Sequence, residues 1–287
     1  MKLYKWIVPL LMVLLISCGT KVDSSQAGNE MTVVALSSSL AELWILSGGD
    51  VAATTNDAFQ EHPIDVGDNC INLGTVKDPS IELILSINPD LVLLSPLLPS
   101  HQGIKRQLES FQIECKAFDL DTLELYLKAL RWCSEITGNN DKYRTHGKEI
   151  ATRTQSIISS FSPPQGERVL LLRAHSTKIK ALDERSLVGA MLRDLDIDTL
   201  CDQYPSLLDQ LSWEIILKED PTLILIVPMG NVSVAEAQVQ TLIRDNPILC
   251  EVQAIKTDNV QLLPKALFGY KPNDRWDESY AYLTSLF

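Results

Sequence analysis

Apolar residues fall into two patterns along the chain. Short unbroken runs occur at residues 32–36, 51–53, 91–94, 169–172 and 223–227, the length and composition of strands buried on both faces. Between them apolar residues recur at helical spacing. Leu40, Leu43, Trp44 and Leu46 form one such stripe, closed by Gly48 and Gly49; residues 80–88 form another, stopped by Pro89. Strands alternating with helices predict an α/β fold with mostly parallel sheets. Two longer helical segments lie mid-chain. Residues 123–136 end at Gly138, and residues 141–161 hold no proline and one glycine, Gly147, before Ser162-Pro163-Pro164-Gln165-Gly166. The second predicts a helix of ~30 Å, a stiff strut between two α/β halves. After Pro272, Trp276, Tyr280, Leu283 and Phe287 make one stripe of a C-terminal helix, so Trp276 is either core or a flat face offered to a ligand.

The halves carry an internal duplication. Residues 80–96 align without gaps on residues 212–228, at the constant offset that sets Glu214 against Glu82. Ser80, Glu82, Ile84, Leu85, Pro89, Leu91, Leu93 and Pro96 coincide with Ser212, Glu214, Ile216, Leu217, Pro221, Leu223, Leu225 and Pro228. Each copy reads as helix, proline stop, buried strand and proline exit, which predicts two similar lobes facing each other. An acid in the first turn behind a serine cap also complements the helix dipole, so Glu82 and Glu214 each have a local reason to be there.

The N-terminus adds a location. Lys2 and Lys5 precede an apolar run from Ile7 to Ile16 that is short for a membrane span and fits a secretory signal. Leu15-Ile16-Ser17-Cys18 looks like a bacterial lipobox, whose cysteine is acylated and becomes the new N-terminus. The expected organisation is a signal peptide over 1–17, a flexible tether over 18–30, an N-terminal lobe over 31–138, the backbone helix over 139–162 and a C-terminal lobe over 163–287. The protein is then expected outside the cytoplasmic membrane, held there by Cys18. A formal charge of −12 excludes nucleic acid as a general partner. Cys70, Cys115, Cys133, Cys201 and Cys250 are odd in number and show no C-x-x-C spacing, which favours buried free thiols.

With these residues in place, the chain resembles bacterial ABC-transporter substrate-binding proteins of the iron-siderophore, heme and vitamin B12 type. The resemblance rests on the block from Pro79-Ser-Ile-Glu82 to Asn88-Pro-Asp-Leu-Val92, its counterpart from Leu211-Ser-Trp-Glu214 to Pro221, and the ending from Leu263-Pro-Lys-Ala to Asn273-Asp-Arg-Trp276. The stretch Ile255-Lys-Thr-Asp-Asn-Val260 departs from the family's Val-Lys-Asn-Gly-Arg-Val form in one turn. The resemblance implies two Rossmann-like α/β lobes joined by a long backbone helix, a ligand cleft between them, and no enzymatic activity. It implies a monomer that passes a small chelate or macrocycle to an ABC permease and its ATPase, with no cofactor apart from iron or cobalt carried by the ligand. Glu82 and Glu214 match the family's lobe-tip glutamates, which dock onto permease arginines; arginine favours paired contact with carboxylates.

Ligand residues are expected in loops beyond the carboxyl ends of strands. They are Ser38, Asn56, His101, Arg173, Tyr270, Lys271 and Arg275. The cations suit carboxylate or phosphate groups, and Tyr270 suits a ring. Two alternatives stay open. A bare-metal receptor would draw on His62, His101 and His175, of which His101 or His175 is also an axial-ligand candidate for heme iron or cobalt. A hydrolase has less behind it, since the chain has no G-x-S-x-G elbow, no H-E-x-x-H and no P-loop.

Overall fold

A computed structural model describes residues 31–287. The signal peptide, the lipobox Cys18 and the tether therefore lie outside the described residues. The first half runs β1 (Val33–Ala35), α1 (Ser38–Leu46), β2 (Ala53–Thr54), β3 (Ile71–Asn72), β4 (Gly74–Thr75), β5 (Asp78–Pro79), α2 (Ile81–Ile87), β6 (Leu91–Leu94), α3 (Pro99–Ser110), β7 (Glu114–Ala117) and α4 (Leu123–Ile136). Five of its strands form a parallel sheet in the order β3-β2-β1-β6-β7. The backbone helix follows as α5 (Asn140–Tyr143), a π-helical turn (Arg144–Lys148) and α6 (Glu149–Ser160). The second half runs β8 (Val169–Ala174), β9 (Ile179–Ala181), α7 (Leu187–Asp194), α8 (Leu200–Gln203), α9 (Trp213–Glu219), β10 (Leu223–Pro228), α10 (Val232–Asp245), α11 (Gln253–Lys256), β11 (Val260–Leu262), α12 (Lys265–Phe268) and α13 (Trp276–Thr284). Its sheet has the order β11-β10-β8-β9, parallel except for β9.

Strand periodicity explains how the halves are held. Val33, Ala35, Leu91 and Leu93 of the first sheet and Val169, Leu171, Leu223, Leu225 and Val227 of the second all belong to one apolar cluster. Their alternate neighbours face away: Val34, Leu36, Val92 and Leu94 into one outer cluster, Leu170, Leu172, Ile224 and Ile226 into another. The inner cluster is filled by Tyr126, Leu130, Cys133 and Ile150 from α4 and α6, and by Trp276, Tyr280 and Leu283 from α13. Trp276 is 1% exposed, so its indole is core. Residues 31–287 form one compact unit around this shared interior.

The strut is helical as expected but changes pitch. Gly147 packs so closely on Tyr143 and Leu130 that an added Cβ would lie 3.0 Å from the tyrosine ring. The wide π turn redirects backbone carbonyls there, and Tyr126 Oη donates to the His146 carbonyl at 2.8 Å. His146 Nδ1 lies 2.9 Å from Asp274 Oδ2, and Arg153 Nε donates to Asp277 Oδ2 at 2.6 Å, fastening the strut to the C-terminal segment.

The duplication is structural as well as sequential. Ser80 caps α2 by accepting from the Leu83 amide, and Ser212 caps α9 by accepting from the Ile215 amide. Each helix has seven residues and ends in a left-handed cap, Asn88 at φ 49° and Asp220 at φ 47°. In both lobes the proline that follows leads into a strand paired in parallel with the lobe's first strand. The five cysteines among the described residues are free; Cys133 and Cys201 are buried as expected, Cys250 is exposed, and burial pushes the Cys133 and Cys201 thiols up to about 12.

Candidate functional site

The carboxyl ends of β1, β2 and β6 bring the expected N-terminal loops together. The Ser38 amide donates to Asp57 Oδ2 at 2.8 Å, and Thr55 Oγ1 donates to Asp57 Oδ1 at 2.5 Å. Asp57 thus ties the loop after β1 to the loop after β2. Ser38 Oγ is buried with no partner among the described residues, and Asn56 is half-buried at the start of a 3-10 turn.

His101 needs a correction. It is fully buried in the first turns of α3, and both ring nitrogens are committed to backbone. The Ser95 amide donates to Nδ1 at 3.0 Å, which leaves Nε2 as the protonated nitrogen, donating to the Val76 carbonyl at 2.9 Å. Burial pushes its pKa down, and the Val76 bond and Asp57 oppose that only in part. The imidazole has no free lone pair to offer iron or cobalt; it fastens the loop after β6 to the turn between β4 and β5.

The segment before α13 is likewise used to join the lobes. Tyr270 stacks on His62 with ring centroids 4.5 Å apart and donates to Glu61 at 3.3 Å. Lys265 reaches the same carboxylate at 3.2 Å and the Gly230 carbonyl at 2.6 Å. The Lys271 ammonium pairs with Asp121, and burial lowers its pKa to about 8. The Lys271 amide donates to Ser39 Oγ at 3.3 Å. Arg275 donates to the Ala266 carbonyl at 2.6 Å, inside its own lobe. Tyr270, Lys271 and Arg275 therefore have protein partners, and the first two act as interlobe ties. Their long-range partners, such as Asp121, left no local trace in the sequence.

Arg173 differs. It lies at the end of β8 and, among the described residues, makes no ion pair and has no partner for its buried Nε. Burial holds its pKa below the ordinary arginine value. Antiparallel register sets Arg173 opposite Lys180 and Ala174 opposite Ile179, and the His175 amide closes the turn onto the Lys178 carbonyl at 2.9 Å. Burial, then Arg173, Lys178, Lys77 and Lys180, hold the His175 imidazole below its usual value. Lys77 comes from the β4–β5 turn of the other lobe.

Large apolar side chains are exposed in the segments that follow strands in both sheets: Phe59 after β2, Leu97 after β6, and Val232 at the start of α10 after β10. Glu82 and Glu214 sit exposed in the first turns of α2 and α9. Among the described residues no group of three His, Cys, Asp or Glu side chains is placed to hold a metal ion.

Comparison with known proteins follows from this geometry. Residues 33–267 match the family model described as periplasmic binding protein. No curated protein matches the chain in sequence. The heme complex of S. aureus IsdE shares the fold with a TM-score of 0.77 at 17% identity, covering 90% of this chain and 99% of that one. The periplasmic heme-binding protein HutB of Vibrio cholerae gives 0.71 at 16%, covering 90% and 98%. The vitamin B12-binding protein BtuF of the same organism gives 0.71 at 16%, covering 89% and 96%. The family and these neighbours are binding proteins, not enzymes.

Proposed function

We propose, from the premise that this chain belongs to the periplasmic binding protein family, that it is the solute-binding component of an ABC importer. It works outside the cytoplasmic membrane, anchored through Cys18, and takes up an iron chelate, heme or a cobalamin-type ligand between its lobes. The lobes close little, because one interior is common to both and the backbone helix braces it. The loaded protein then docks on the permease, whose ATPase drives transfer.

One observation carries the reading: the duplicated unit places an exposed glutamate at the same point of each lobe. Glu82 and Glu214 share the serine cap, the helix length and the left-handed stop. Two separated carboxylates of this kind fix the orientation of a two-lobed protein on a transporter with two-fold symmetry. A bare-metal reading has less support, because His101 has no free ring nitrogen and His62 is engaged by Glu42 and Tyr270.

The test is Glu82→Ala combined with Glu214→Ala. Uptake by cells should fall at least tenfold at equal surface levels, while ligand affinity of the purified protein stays unchanged. Normal uptake by the double variant would remove the docking role. Cys18→Ala should release the protein from the membrane fraction, and retention there would remove the anchor.

A further inference from the structure

The β8–β9 hairpin contains a concentration of positive charge that the fold does not need. Its register puts Arg173 against Lys180, so the two share one face of the hairpin. Beyond the strand ends the His175 amide donates to the Lys178 carbonyl, which brings these two residues together at the hairpin tip. The face shared by Arg173 and Lys180 is the inner one. Leu172, Ala174, Ile179 and Ala181 belong to the outer cluster, whereas Leu171 and the register partner of Arg173, Val227, belong to the interior shared by the lobes. Lys77, on the β4–β5 turn of the opposite lobe, adds to the positive field at His175.

Like charges directly across a strand pair destabilise it. Nothing nearby offsets them: among the described residues Lys77, Arg173, Lys178 and Lys180 make no ion pair. This is unexpected in a chain of net charge −12, where acids are plentiful. A buried guanidinium nitrogen with an unused donor adds a directional demand for an acceptor.

We infer that this inner hairpin face, with Arg173 at its buried end and Lys178 and Lys180 at its open end, receives the carboxylates of the transported solute. The ligand is then a polycarboxylate, either a macrocycle with carboxylate arms or a ferric complex of a carboxylate chelator, and not a corrinoid with an amide rim. Arg173 supplies a forked contact, and the lysines, with Lys77 from the facing lobe, supply the remaining charge. The exposed apolar residues Phe59, Leu97 and Val232 are left for the body of the ligand. The assignment rests on the capture reading above and narrows it.

The full chain is titrated with hemin, hemin dimethyl ester, ferric citrate and cyanocobalamin. Hemin or ferric citrate should bind, with affinity falling as salt rises. If hemin is the one bound, its dimethyl ester should bind roughly tenfold or more weakly. Arg173→Gln, and separately Lys178→Gln with Lys180→Gln, should each weaken the carboxylate probe by roughly tenfold or more and flatten the salt dependence. The two lysines are exposed, and a melting curve checks that each variant folds. Unchanged affinity in both variants, equal binding of hemin and its ester, or binding of cyanocobalamin alone would overturn the inference and leave the capture reading standing. Binding of none of the four would likewise overturn the inference and leave the capture reading, which also covers iron chelates without carboxylate arms, standing.

Discussion

Asn273 and Glu42 meet where the lobes join: Asn273 Nδ2 donates to Glu42 Oε2 at 2.6 Å and to the Ser39 carbonyl at 3.1 Å. Asn273 is fully buried and sits at φ 52°, a conformation asparagine and aspartate tolerate better than most residues. Asn273→Asp keeps the shape and the backbone preference but sets a carboxylate against Glu42. It should cost ~2–3 kcal/mol at neutral pH, a fall in Tm of roughly 4–12 °C for a protein of this size. A melt equal to that of the parent at pH 7 would count against the tie.

His101 gives the protein an acid-sensitive joint. Its folded pKa lies below the ordinary 6.5 because burial opposes the charged ring. Below pH 6.5 the unfolded chain binds a proton that the folded chain resists, so this contribution is present above 6.5 and is lost as pH falls through the folded value. Melting temperatures at pH 7.5 and 5.5 should therefore differ more for the parent than for His101→Gln. An equal pH response in the two proteins would show that the imidazole is not the cause.

Gly189 in the first turn of α7 sits against the preceding loop. A Cβ there would lie 1.9 Å from the Asp183 carbonyl oxygen, which also accepts from Ser186 Oγ at 2.8 Å. Gly189→Ala should destabilise by at least ~2 kcal/mol despite alanine's better helix propensity. Chemical denaturation measures it directly, and a neutral or stabilising result would mean the loop yields freely.

An apolar cavity of about 30 Å³ lies behind the second sheet, lined in part by Leu172, Ile226, Val239 and Leu249. Val239→Ile adds one methyl group to it and should stabilise by ~0.5–1 kcal/mol. A drop in Tm would mean that the added group does not reach the cavity.

The strands that form the two sheets' centres were legible because both their faces are buried. Residues 91–94 and 223–228 are apolar throughout, and Pro89 and Pro221 mark where each helix must stop. The helix over Leu123–Ile136 was legible from its stripe and from Gly138. Other elements lack such a signal. Strand β2 meets the run at residues 51–53 only at Ala53, and β3 has two residues, too few to show a period. Strand β9 reads Ile-Lys-Ala, whose lysine marks a face only once its register with β8 is known. The π turn over Arg144–Lys148 leaves no mark on the strut's own spacing, and the approach of Gly147 to Leu130 of α4 is a contact between helices. At the site, the loops were found but their members were not sorted. Lys271, Tyr270 and Arg173 are alike as loop-borne polar groups; Asp121 and Glu61, far off in sequence, claim the first two and leave Arg173 free of any ion pair.

The common interior beneath the two sheets also bears on how the protein comes apart. Leu91 and Leu93 in one half and Leu223 and Leu225 in the other belong to one apolar cluster with residues of α4, α6 and α13. Neither half, severed at the Pro163-Pro164 junction, would keep a roof over its inner strands, so each fragment alone is expected to aggregate or stay unstructured. The intact chain should melt in one calorimetric peak, and a solute gripped at the lobes' rim would raise the resistance of the whole molecule to proteolysis, including the helices farthest from it.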